Sequence, residues 1–327
     1  MVFNASKTKA VVTGSKHDME YFKKIKPWTL NGDSIDVVDT NDHLGLVVSG
    51  WNEEPKNIDQ NISRCRGSLF ALLGPAFNFR CKLSPVTQLH LWHTYSLPVL
   101  TTGLNSLPIR PSHMRPLTGF HHKILRGFLR LSPSSPVPSL YFLLGEPPLE
   151  CRLHMHVFSL FYSVWSNPHS RIFKVLQYIL KMSSLQSTTW ANHVRLLCMK
   201  YDMVDPLALL QQQQHTKSAW KEYTWTKIIV LTENSLRAKA RNNSKMEYLN
   251  VQLAGLSGRP HPALTSVTTT RDIPKLRLHL KFLTGDYPSY HRLARDRGTN
   301  DSYCRLCTSP CEDTKHILTE CRATSDH

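Results

Sequence analysis

The stretch SYCRLCTSPCEDTKHILTEC, residues 302–321, places Cys304, Cys307, His316 and Cys321 at the spacing Cys-x2-Cys-x8-His-x4-Cys. No other feature of this chain restricts its folding as tightly. A Cys-x-x-Cys turn brings two thiolates to one side of an ion. A histidine and a cysteine about one helical turn apart supply the other two corners of a tetrahedron. TSPCEDT has turn chemistry, and EDTKHILTEC can run as a short helix that presents His316 and Cys321 together. The expectation is structural zinc, because four protein ligands leave no open position for catalysis. In so short a segment the apparent zinc-binding free energy, roughly 10–16 kcal/mol, is in effect folding energy. Cys311 is the surplus cysteine. It could replace Cys307, but omitting it gives the more regular ligand set. The alternative is a cluster of reduced thiols in a tail.

The other four cysteines, Cys65, Cys81, Cys151 and Cys198, stand singly among apolar neighbours and read as reduced core thiols. No apolar run is long enough to span a bilayer, and the first residues carry no apolar signal core. The expectation is an intracellular protein of cytoplasm or nucleus, with no membrane partner. With 327 residues, 41% of them apolar, two or three domains have material for real cores.

Net charge is +16, and its distribution says more than its size. Residues 87–200 carry 11 Lys/Arg against only Glu146 and Glu150, a balance of +9. Solvated surfaces normally mix signs, so a stretch this one-sided points to a polyanionic partner, RNA and/or DNA. Within it, RPLTGFHHKILRGFLRLS sets Leu117, Phe120, Ile124, Phe128 and Leu131 on one helical face. Lys123, Arg126 and Arg130 recur at i, i+3 and i+7 on another. Three cations without a carboxylate partner repel one another unless phosphates neutralise them. An ordinary solvated helix face is the alternative.

Residues 1–50 read as strands and turns, with KAVVTG and HLGLVVSG as strands and Asn31-Gly32 as a hairpin turn. Helical spacing begins at Ile58 and runs to Leu73 through Ile62, Cys65 and Leu69. A helix capped by Ser84 should stop before Pro98. SPSSPVPS is a hinge or rigid loop, and an apolar helix enters through Pro147-Pro148 and ends at Asn167-Pro168. Two short helices occupy 171–200, QQQQHTK is a polar linker, 218–253 is helical again, and KLRLHLKFLTG is a basic helix. The fold class is therefore mainly α with a small β-containing N-terminal part.

These segments, in order, resemble the C-terminal portion of non-LTR (LINE-type) retrotransposon reverse transcriptases. FNASKTKAVVTG is similar to the block that follows the catalytic loop, and HLGLVVSG to the primer-grip hairpin. NISRCRGSLFALLGPAF, HLWHTYSLPVLTTGL, FHHKILRGFLRLSPSSPVPSLYFLLGEPP and YDMVDPLALL resemble the thumb and post-thumb region. LKFLTGDYP with the Cys/His run resembles the terminal zinc knuckle. The resemblance implies a residual palm and primer grip at 1–52, a thumb at 53–135 and post-thumb helices at 136–214. A helical linker at 215–300 and the knuckle at 301–327 follow. It makes Lys7 a weak candidate near the leaving pyrophosphate, makes Leu44 and Gly45 the grip turn, and adds nucleic acid as partner. The family's two-magnesium Asp-Asp loop precedes FNASKTK, and no such pair occurs here; Asp33/Asp36 and Asp39/Asp42 lie after that block. The expectation is a nucleic-acid-binding portion that makes no cDNA by itself, with magnesium belonging only to an intact parent enzyme. The competing expectation is a zinc-stabilised interaction protein with no nucleic-acid role.

Overall fold

The computed structural model describes residues 7–13, 16–25, 28–50, 52–73, 83–184, 187–212, 215–256, 258–266, 271–299 and 302–324. Cys81, the start of the FNASKTK block, the GPAF end of the next helical block and part of the glutamine run lie outside them. The described residues are mainly helical, with a small β-containing N-terminal part.

The N-terminal elements are β1 (Lys9–Val11), α1 (Lys16–Ile25), β2 (Thr29–Leu30), β3 (Asp33–Ser34), β4 (Asp36–Val38), β5 (Thr40–His43), β6 (Leu46–Ser49) and α2 (Glu53–Leu73). β1 pairs in parallel with β4, Lys9 opposite Asp36, while β2–β3 and β5–β6 are antiparallel hairpins. Asn31 and Gly32 turn the first hairpin at φ 54° and 90°, the geometry that an Asn-Gly pair adopts without steric cost. α1 corrects the expectation of strands and turns throughout 1–50. Met19, buried in that helix, and Phe22 recur at i and i+3, and two lysines close its last turn.

α2 is tied to its neighbours by two buried asparagines. Asn57 acts like a strand residue, accepting from Val47 N at 2.8 Å and donating to Val47 O at 2.8 Å. Asn61 donates to the carbonyls of Leu100 and Thr102. Its apolar face is the one read from the spacing, with Ile58, Ile62, Cys65 and Leu69 buried.

The next helical run does not stop before Pro98. α3 (Pro85–Leu91) passes through a π turn at Trp92–Ser96 into α4 (Leu97–Thr101). Proline has no N–H to give and its ring crowds the carbonyl four residues back. Here Leu97 N bonds five residues back to Trp92 O, and this wider turn carries the helix past the proline.

The remaining helices are α5 (Pro111–Leu129), α6 (Val137–Leu144), α7 (Leu149–Trp165), α8 (Arg171–Met182), α9 (Trp190–Lys200), α10 (Pro206–Leu209), α11 (Lys217–Arg241), α12 (Pro262–Thr265), α13 (Ile273–Leu283) and α14 (Tyr290–Arg297). α11 ends well short of 253. Asn243 and Asn250 each accept a backbone N–H two residues on, and so begin short 3₁₀ turns in place of further α-helix. Among the described residues no helix is long and apolar enough to cross a membrane.

The chain forms two compact units, each built from separated segments. The first takes Met1–Pro75, Leu91–Phe120 and Leu149–Ile228; the second takes Ala76–His90, His121–Pro148 and Ile229–His327. The first unit holds all seven tryptophans of the sequence. One of its cores gathers Phe158, Phe161 and Trp165 of α7, Phe173, Leu176 and Leu180 of α8, Val194 and Leu197 of α9 and Trp220 of α11. The scattered cysteines Cys65, Cys151 and Cys198 are buried and unbridged, as read, and burial pushes the thiols of Cys65 and Cys198 up to about 12.

This unit also buries imidazoles. His154 Nδ1 lies 2.6 Å from the Tyr201 hydroxyl. Burial, with Lys200 and His193 adding to it, drives His154 well below the usual histidine range; burial and Lys200 bring His193 to about 4. Both folded-state values lie below the unfolded value of 6.5, so the unfolded chain binds more protons between those limits. Stability is full above about pH 6.5 and falls as pH drops toward 4. Acidifying from about pH 7.5 to about pH 5 should cost the first unit about 4 kcal/mol, about 2 kcal/mol from each imidazole, read by urea unfolding on tryptophan fluorescence. A flat midpoint over that range would contradict the burial argument.

Candidate functional site

The second unit holds both constellations singled out from the sequence: the Cys/His set and the α5 cations. Cys304, Cys307, His316 and Cys321 converge, with every pair of ligand atoms within 4.8 Å. Cys304 Sγ lies 3.9 Å from Cys321 Sγ, and Cys307 Sγ lies 3.2 Å from His316 Nε2. A tetrahedral zinc with bonds of about 2.3 Å to sulfur and 2.0 Å to nitrogen sets S–S edges near ~3.8 Å and S–N edges near ~3.5 Å. The set therefore fits a metal ion and is compatible with structural zinc. Cys304, His316 and Cys321 are buried and Cys307 is partly so, leaving little room for substrate.

Local chain chemistry builds this geometry. In the Cys-x-x-Cys turn, Leu306 N points at Cys304 Sγ at 3.4 Å and Thr308 N bonds to Cys304 O at 2.9 Å. Asp313 Oδ1 caps the opposite arm by accepting from His316 N at 2.7 Å. That arm is a π turn, His316–Glu320, closed by Cys321 N bonding to His316 O at 2.7 Å. The five-residue step brings His316 and Cys321 to one side. Cys311 is outside the set, as the spacing suggested.

Spacing alone did not single out Glu312. This carboxylate is buried, accepts from Arg305 N and Nε at 2.9 and 3.0 Å, and accepts from Tyr290 N at 2.9 Å. The Arg305 side-chain bond holds its carboxyl down at about 2. Through Glu312 the Cys/His loop is fastened to the start of α14. The sequence signal was available only in hindsight: an acid inside the ligand run, with an arginine inside the Cys-x-x-Cys turn.

Leu117, Phe120, Ile124 and Phe128 of α5, Leu125 beside them, and Leu131 just past the helix are buried as the spacing required. Lys123, Arg126 and Arg130 come together around one surface groove with Gly127, Leu131 and Pro133. Arg130 is not on the helix, however. It sits past Leu129 at φ 53°, with Arg130 N bonding to Gly127 O and Leu131 N to Arg126 O. This is a helix-ending motif that usually takes glycine, filled here by arginine. Arg126 Nη2 donates to Ser135 O at 3.0 Å, which ties the SPSS loop back to α5. Of the two carboxylates in the basic stretch, Glu146 is 1% exposed and the partly exposed Glu150 pairs with Lys200 at 2.6 Å.

The candidates of the first unit remain apart from any cluster of chemistry. Lys7 is exposed just before β1. Leu44 and Gly45 form the β5–β6 turn at φ 51° and 84°, with Leu44 89% exposed and Gly45 O accepting from Arg64 at 2.9 Å. A bulky residue in the left-handed region is uncommon. Among the described residues the Cys/His set is the only cluster of potential metal ligands of its kind.

No protein-family model, curated protein or solved structure matches the chain.

Proposed function

We propose that this chain is a C-terminal portion of a LINE-type retrotransposon reverse transcriptase. In this reading it binds RNA or DNA through a thumb-like basic helix and a zinc knuckle, and performs no polymerisation of its own. The observation that carries the reading is the basic groove: Lys123, Arg126 and Arg130 share one surface, inside a stretch whose carboxylates are buried or paired. Zinc suits the Cys₃His donor set better than oxygen-seeking magnesium, which would belong to catalytic aspartates elsewhere in a parent enzyme. The Leu44-Gly45 turn serves as the primer-contacting hairpin, and Lys7 stands exposed before β1 as a weak candidate only.

Fluorescence anisotropy with single-stranded RNA and DNA oligonucleotides tests this. Affinity should fall linearly on a log–log plot against salt, with a slope near ~0.7 per phosphate neutralised. Lys123→Glu should weaken binding about tenfold at moderate salt while leaving the zinc content unchanged. Failure of the wild-type chain to bind either polymer at low salt ends this reading.

The second reading, a zinc-stabilised interaction protein, has one observation in its favour. α8 is apolar on both sides: Phe173, Leu176 and Leu180 are buried, whereas Ile172, Val175, Tyr178 and Met182 are exposed. Such a stripe suits protein contact.

A further inference from the structure

We propose that the groove beside α5 is a seat for a backbone phosphodiester, and that Asp286 is the positioning residue that holds the seat in shape. The inference rests on the nucleic-acid reading above and specifies how that site is built. One side of the groove is Leu131 and Pro133, which belong to the turn after α5. The loop 132–135 contains Pro133, which has no N–H, runs into Pro136, and closes one backbone bond of its own, Ser135 N to Ser132 O. Asp286, from the TGDYP turn after α13, supplies the missing partner. Its Oδ2 accepts from Ser132 N at 2.9 Å and from the Ser135 hydroxyl, and its Oδ1 accepts from the Ser134 hydroxyl at 3.4 Å.

Two cations complete the fastening. Lys245 Nζ donates to Ser134 O at 3.2 Å and Arg126 Nη2 donates to Ser135 O at 3.0 Å. Asp286 is itself fixed, since its N–H bonds to Lys281 O at 2.8 Å and it is 7% exposed. Gly285 before it has φ 61°, and a Cβ there would meet the Lys245 backbone at 2.9 Å. Only glycine lets these two chain segments approach so closely.

The arrangement separates two effects of one carboxylate. A free acid near three cations would compete with a phosphate. Asp286 instead spends its acceptor capacity on loop donors and stays turned from solvent. The loop then holds the Arg126 fork by the Ser135 carbonyl, so that the cations wait in place before a ligand arrives. Preorganisation of this kind strengthens binding because less order is lost on association.

The two effects have opposite signs, which makes a direct test. Simple charge removal predicts that Asp286→Asn tightens RNA binding. The positioning role predicts that it weakens, because the amide nitrogen faces donors and the loop is released. We expect the Kd of a single-stranded RNA oligonucleotide to rise about fivefold, with the salt slope flattened by about one phosphate contact. Zinc content should be unchanged. Ser135→Ala, which removes one of the three donors, should shift Kd in the same direction by a smaller factor, and decides the matter if Asp286→Asn fails to fold. Binding that is unchanged or tighter in the folded variants overturns the proposal. Wild-type chain that binds neither RNA nor DNA overturns the nucleic-acid reading instead.

Discussion

Replacing Cys304 by serine should strip the metal from the protein and melt the 302–324 segment while leaving the tryptophan fluorescence of the first unit unchanged. Cys304 is fully buried, 3.9 Å from Cys321 Sγ, and its sulfur also receives the Leu306 N–H. A serine hydroxyl is a poor zinc ligand, so most of a binding free energy of roughly 10–16 kcal/mol is at stake. The segment has little else to fold upon: Glu312 and its bonds to Arg305 and Tyr290 are its main polar anchor. Metal analysis of the purified variant and amide hydrogen exchange over the tail read both effects. Cys311→Ser is the matched control and should keep one zinc per chain. Retention of zinc by Cys304→Ser, or its loss from Cys311→Ser, would show that the ligand set has been misassigned.

Trp220→Ala should be the most damaging single change in the first unit. Its ring is 2% exposed, meets Trp165 edge-on at 5.4 Å and lies within 6.3 Å of Phe158 and Phe161. Its indole N–H donates to Phe158 O at 3.1 Å. Truncation removes the aromatic payload and leaves a cavity where α7 and α11 pack, a loss of about 3–5 kcal/mol. Six tryptophans remain in the same unit to report urea unfolding. Trp225→Ala, at a half-buried position on the same helix, should cost well under half as much. Similar costs at the two positions would mean that the aromatic cluster is not the centre of this core.

Helix positions were legible wherever apolar spacing was regular. The buried faces of α2 and α5 follow from Ile58, Ile62, Cys65 and Leu69 and from Leu117, Ile124 and Phe128. The Asn31-Gly32 turn was legible because only a few residue types accept its backbone angles. Local rules misled where a local cost was absorbed. Pro98 looked like a stop, yet a π turn carries the helix past it. Arg130 looked like a third helical cation, yet it ends the helix in a conformation usually given to glycine. α1 is short and its apolar positions are few, so its pattern was lost among strand-like neighbours.

The Cys/His set that could hold a metal ion is the part of this protein that was legible in the sequence by itself. The ligand atoms come from residues within 18 positions of one another, so short-range turn geometry brings most of them together. The charge of the middle stretch was equally plain, because it is a matter of counting. What only the tertiary structure decided is how those charges are used. Asp286 is 154 residues from Ser132, and the turn holding it is brought to that loop by the packing of separate chain segments in one unit. Glu146 disappears into the interior and Glu150 finds Lys200 fifty residues away. Contacts between distant residues depend on which apolar faces pack together, and no short-range pattern encodes that outcome.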